Sequence, residues 1–175
     1  MKRVLLLDQS VYKEVRDDEE MLKYAILIVL LSGFLPALGN IYVASVFQKY
    51  TLFKNLSGPL FGWIDIIFMP TFMLVSWLVF TIIAHIPAKF VGGRASLIGF
   101  LRVAGFTYAP LMLGVIPLFG TVIGDLWSIL CFIFAIRFAH ELSWSKSILV
   151  IILFFAFFVL LGILLAYFVP SDIFM

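Results

Sequence analysis

The chain carries a single cysteine, Cys131, among 175 residues. One cysteine excludes an intramolecular disulfide and any cysteine-based metal cluster. Inside an apolar run it behaves as a small hydrophobe. Charge is scarce as well: 13% of the residues are Asp, Glu, Lys or Arg, about half of the roughly 25% of an average soluble domain. No polar stretch is long enough for a separate soluble domain. The net charge of +2 is too small to imply nucleic acid as a partner. The signatures HExxH, GxSxG, Walker A and CxxC are absent, so no catalytic constellation is legible. The sequence reads as a non-enzyme with no cofactor and no metal. A cleavable signal is also missing. The apolar stretch Val4 to Leu7 stops at Asp8, short of the roughly 7–15 residues such a signal needs. The first membrane span is expected to serve as an uncleaved targeting signal.

What the chain has in abundance is apolar residues, 64% of the total. Its longest nearly uncharged run is Phe106 to His140, 35 residues with one acid and one base before the last residue. A single helix of that length would measure about 52 Å, against about 30 Å of hydrocarbon. Gly114, Pro117, Gly120 and Gly124 punctuate its middle, as turn residues do. Cutting there gives span 3, about 107–119, and span 4, about 123–138, with the turn near Gly120–Gly124. Span 1 runs from about Leu22 to Phe47 with a kink at Pro36, and span 2 from about Leu60 to Ile86, ended by Pro87. Span 5 runs from Ser147 to about Val169. A polar loop with Lys49 and Lys54 separates spans 1 and 2. Ser10 is a plausible N-cap for a short helix ahead of span 1. The cluster Asp17-Asp18-Glu19-Glu20 reads as a solvated face.

The expected architecture is therefore all-α: a polytopic bundle of five transmembrane spans. Residues 1–21 form a cytoplasmic N-terminal segment, 22–169 the membrane domain and 170–175 an outer C-terminal tail. Between the Gly92-Gly93 break and span 3, apolar Leu97, Ile98, Phe100, Leu101 and Val103 alternate with Arg94, Ser96 and Arg102. That pattern suits a short amphipathic helix in the membrane interface, with basic residues toward anionic headgroups on the inner face. Lys89, Arg94 and Arg102 are the candidate headgroup contacts.

The positive-inside rule supports the five-span cut. With the N-terminus inside, five spans put ten Lys and Arg inside and two outside, whereas four spans give eight and four. Five spans leave the C-terminus outside. The expected location is the cell membrane.

Ionisable residues within spans are costly and are functional candidates by default. Asp65 and Asp125 both fall near the outer ends of their spans. They can be read as a shared ion or proton site, or as caps at helix N-termini favoured by the helix dipole. His85, His140 and Glu141 fall at inner span ends and are a conceivable metal trio. No HxxxH spacing enforces it, and the dipole alone favours histidine at a helix C-terminus. Arg137 is expected to snorkel to the inner headgroups. The pairs Gly58-x-x-x-Gly62 and Gly120-x-x-x-Gly124 straddle span ends and are weak signals of a dimer face.

The stretch Phe90-Val91-Gly92-Gly93-Arg94-Ala95-Ser96, followed by Phe100-Leu101-Arg102-Val103-Ala104-Gly105-Phe106-Thr107-Tyr108-Ala109-Pro110, resembles the Yip1 domain family in its prokaryotic branch. The segment Asp8 to Val15 resembles that family's short pre-membrane helix. The resemblance covers roughly residues 8–168 and implies five spans with a cytoplasmic N-terminus. One departure stands out. Eukaryotic members carry Asp-Leu-Tyr-Gly-Pro before their first span, and the nearest echo here is Asn55-Leu56-Ser57-Gly58-Pro59 before the second. The eukaryotic role, membrane traffic and binding of prenylated small GTPases, is therefore not carried over. The leading expectation is a non-catalytic protein that organises membrane or binds partner proteins, including copies of itself. The alternative is a small transporter or channel with Asp65 and Asp125 near the pathway, since proline-broken helices line many transporter sites.

Overall fold

A computed structural model describes residues 2–47, 59–116 and 119–168. The loop carrying Lys49 and Lys54, the Asn55–Gly58 echo, Pro117 and the tail 170–175 lie outside the described residues. Among those described, every element is helical: α1 (Lys2–Leu5), α2 (Gln9–Asp17), α3 (Met21–Phe47), α4 (Pro59–Phe90), α5 (Leu97–Phe106), a 3-10 helix (Ala109–Val115), α6 (Phe119–His140) and α7 (Trp144–Phe168). Five stretches are long and apolar enough to cross a membrane: Met21–Val43, Ile64–Phe90, Leu97–Val115, Phe119–His140 and Trp144–Phe168. The molecule is a multi-pass integral membrane protein.

The short N-terminal helix is present as α2. Its buried stripe is Val11, Tyr12 and Val15, the i, i+1, i+4 spacing of one helix face. Its cap is Asp8 rather than Ser10. The Asp8 carboxylate accepts from the Ser10 backbone N–H at 3.1 Å and from the Ser10 hydroxyl at 2.8 Å. Leu7, at φ 57°, turns the chain between α1 and α2. Arg3 then ties both helices together through Asp8, Ser10 and Glu14.

Pro87 does not end α4, which continues to Phe90. A proline forfeits only its own N–H, and the Val91 N–H still reaches the Pro87 carbonyl at 3.1 Å. The stop is Gly92, at φ +97°. Its left-handed conformation lets the Gly93 N–H bond back to the Ala88 carbonyl at 2.8 Å and the Gly92 N–H to Lys89 at 3.0 Å, the Schellman arrangement.

The third span starts earlier than residue 107. The short helix expected before it is α5, capped by Ser96 Oγ, which accepts from the Gly99 N–H at 3.0 Å. α5 and the 3-10 helix together make the third membrane-length stretch, Leu97–Val115. Ten α-helical residues give about 15 Å and seven 3-10 residues about 14 Å, close to a bilayer's hydrocarbon thickness. The 3-10 helix survives because its neighbours approach its backbone. A Cβ on Gly39 of α3 would sit 2.6 Å from the Val115 carbonyl oxygen, and one on Gly124 of α6 2.6 Å from that of Pro110. A Cβ on Gly120 would overlap the Leu113 carbonyl.

Gly120 and Gly124 are thus inside α6, which begins at Phe119, and not in a turn. Their small faces meet this chain's own third span instead of marking a free dimer face. As a consequence Asp125 is six residues into α6 and Asp65 six residues into α4, so neither caps a helix N-terminus.

Candidate functional site

Two places in the bundle gather polar chemistry. The first is the end where α2, the C-termini of α4 and α6, and the N-termini of α5 and α7 meet. Arg16 of α2 is its centre. Its guanidinium donates to the Ala139 carbonyl at 2.9 Å, to Glu141 Oε1 at 2.9 Å and to Asp17 at 2.7 Å. Arg94 reaches the other Glu141 oxygen at 3.2 Å, and Lys13 stands 3.9 Å from Oε1. Glu141 occupies a left-handed position, φ 57°, with the Leu142 N–H returning to the Arg137 carbonyl at 2.9 Å. The turn that ends α6 therefore presents this carboxylate to three cations. The hydrogen bond from Arg16 holds the carboxyls of both Glu141 and Asp17 below their ordinary values.

The three residues predicted to meet headgroups take different positions here. Arg102 donates to the Arg16 carbonyl at 2.9 Å, and its Nε is buried. Lys89 is exposed, and the Arg94 side chain is 78% exposed despite its bond to Glu141. Lys146, from the first turn of α7, joins them: its Nζ would lie 3.6 Å from a Cβ on Gly92. Lys89, Arg94 and Lys146 thus surround one turn, Gly92-Gly93. Lys146 was not singled out from the sequence, because its approach depends on how α7 meets the end of α4. Arg137 lies against Trp144, 4.2 Å from the ring centre, and donates to the Leu142 carbonyl at 3.3 Å.

The structure does bring His85 and His140 together. Their ring centres are 5.0 Å apart, and both rings pack on Phe100. Glu141 is turned to the arginines instead. His140 is fully buried, and neither of its ring nitrogens has a partner. Among the described residues no group of three His, Cys, Asp or Glu is placed to hold a metal ion.

The second place is a cavity of about 560 Å³ bounded by α4, α6, α7 and the start of the 3-10 helix. Its wall is mostly aromatic, including Phe72, Phe80, Phe132, Phe154 and Phe158. Asp125 lies on that wall and Asp65 does not. By helical spacing Asp65 falls on the same stripe of α4 as the wall residues Phe72 and Ser76, seven and eleven residues or about 10 and 16 Å further along. Among the described residues no ion pair or hydrogen bond joins the two carboxylates.

A family model of the Yip1 domain matches residues 2–166. The chain belongs to the Yip1 family. The match takes in α1 and α2 as well as all five membrane-length stretches, so this Yip1 domain includes the Arg16–Glu141 junction as well as the spans. Neither a curated protein nor a solved structure matches the chain.

Proposed function

We propose that this Yip1 protein is non-catalytic and organises the bilayer around its basic end, which also offers a rigid face to partner proteins or to a second copy. The observation that carries the reading is the cluster of Lys89, Arg94 and Lys146 about the Gly92-Gly93 turn, from two separate span ends. Each exposed cation next to an anionic bilayer surface contributes about 1 kcal/mol of attraction. Glu141, the acid that Arg94 contacts, is already shared among Arg16, Arg94 and Lys13. On this reading the junction faces the cytoplasm, the protein sits in the cell membrane, and the C-terminus is outside, as the Lys and Arg distribution favours. The purified protein is expected to retain phosphatidylglycerol over phosphatidylcholine in native mass spectra, and Lys89→Glu/Arg94→Glu to lose that preference. Equal retention by the double variant would remove the reading.

A further inference from the structure

The apolar cavity lies away from the basic junction, and its chemistry points to a different ligand. Its serine and threonine hydroxyls are already engaged within the protein. Ser76 donates to the Met73 carbonyl at 3.0 Å, Ser128 to Thr107 at 2.8 Å and Thr107 to Ala104 at 2.7 Å. Asp125 differs: it has no hydrogen-bond or ion-pair partner among the described residues. It is the sole ionisable carboxylate on the cavity wall. A carboxylate within a membrane span is expensive and is retained where something compensates it.

We infer that the cavity binds a lipophilic organic cation, an ammonium or phosphonium on an aromatic or single-chain apolar body, with its charge beside Asp125. Three observations select this class. The free polar group is an acid, so the complementary group is a cation. The rings of the wall, Phe72, Phe80, Phe132, Phe154 and Phe158, suit an apolar body, and aromatic rings attract cations. The volume of about 560 Å³ falls within the range of about 300–1,000 Å³ that holds a drug-sized ligand.

The test uses radiolabelled tetraphenylphosphonium with the full chain in nanodiscs. Wild type should bind it saturably. Asp125→Asn should bind about tenfold more weakly or worse, because it removes the one charge on an otherwise apolar and hydroxyl-bearing lining. Asp65→Asn should bind as wild type does. Neutral triphenylphosphine oxide should compete poorly. Undiminished binding by Asp125→Asn, or competition by the neutral compound as effective as by unlabelled phosphonium, would overturn the inference. If Asp125→Asn does not fold, Asp125→Glu decides with the competition: it should keep saturable, charge-selective binding, and absence of such binding in a folded Asp125→Glu protein counts against the site. These readouts do not involve the basic junction, so they fail or succeed independently of the proposed lipid role.

Discussion

Arg16 and Glu141 are 125 residues apart in sequence and 2.9 Å apart in space. This contact fastens the N-terminal helix α2 to the end of α6. The Arg16 side chain is only 16% exposed, and its bond to the Ala139 carbonyl is partly buried, while its bond to Glu141 lies at the surface. Replacing Arg16 with Met keeps most of the apolar stem, takes the side-chain donor from the Ala139 carbonyl and leaves Glu141 to Arg94 and Lys13. Loss of a hydrogen bond to a partly buried carbonyl costs about 1 kcal/mol. Hydrogen exchange of residues 11–16 should accelerate in Arg16→Met, while the centre of α4 should be unaffected.

The same contact gives the docking of α2 a pH dependence. The carboxyls of Glu141 and Asp17 titrate lower in the folded protein than their ordinary values of 4.5 and 3.8. Groups depressed in this way contribute stability that is fully present above the unfolded value. That contribution is lost as pH falls through the folded value. Exchange protection of α2 should therefore be flat from neutral pH to about 5 and should decline below about 4. In Glu141→Gln the decline should be smaller.

Cys131 provides a reporter for the same region. Its thiol is buried, 4.0 Å from the Val4 carbonyl, beneath α1 and Tyr12. Tyr12 is itself fully buried against Phe134 and Phe138, and burial pushes its phenol above its ordinary value. Tyr12→Ala should cost about 3–5 kcal/mol, the usual loss for a large buried aromatic. It should also open Cys131 to a small methanethiosulfonate reagent that labels the wild type slowly. Equal labelling rates would show that the N-terminal helices do not cover the thiol.

Glycine substitutions should separate packing from propensity. Gly124→Ala drives a Cβ to 2.6 Å from the Pro110 carbonyl oxygen, whereas a Cβ on Gly162 meets nothing within 4 Å. Overpacking typically costs about 1–3 kcal/mol. Alanine in an open helical position gains roughly 0.5–1 kcal/mol over glycine. Thermal unfolding in detergent should fall for Gly124→Ala and hold or rise for Gly162→Ala.

His140→Leu is expected to be tolerated. It removes two buried ring nitrogens that have no partner, and replacing unsatisfied polar atoms with apolar ones is close to neutral or stabilising. A large loss of thermal stability in this variant would show that the imidazole has a partner it needs.

The spans were legible in the sequence because hydropathy is a local property: a helix in hydrocarbon must be apolar along its whole length whatever it packs against. α2 was legible for a similar reason, from its spaced apolar residues. The local reading misled at Gly120, Gly124 and Pro87. Glycine marks turns and close backbone approach alike, and only the 3-10 helix lying against α6 shows which applies. That error carried Asp125 from a cavity wall to a supposed helix cap. The pairing of His85 with His140, and of Arg16 with Glu141, depends on which span ends converge, and no short-range pattern records that. The relation between Asp65 and Asp125 had the same source of difficulty. Both fall at similar positions in their helices, yet only one lines the cavity.

The lipid role of the Gly92-Gly93 turn is most directly tested by energy transfer from the protein's tryptophans, Trp144 among them, to dansyl-labelled phosphatidylglycerol in mixed vesicles with phosphatidylcholine. The account predicts stronger transfer to the labelled anionic lipid than to labelled phosphatidylcholine, a difference that salt weakens and Lys89→Glu/Arg94→Glu abolishes. Equal transfer to both lipids in the wild type, or an undiminished difference in the double variant, would contradict it.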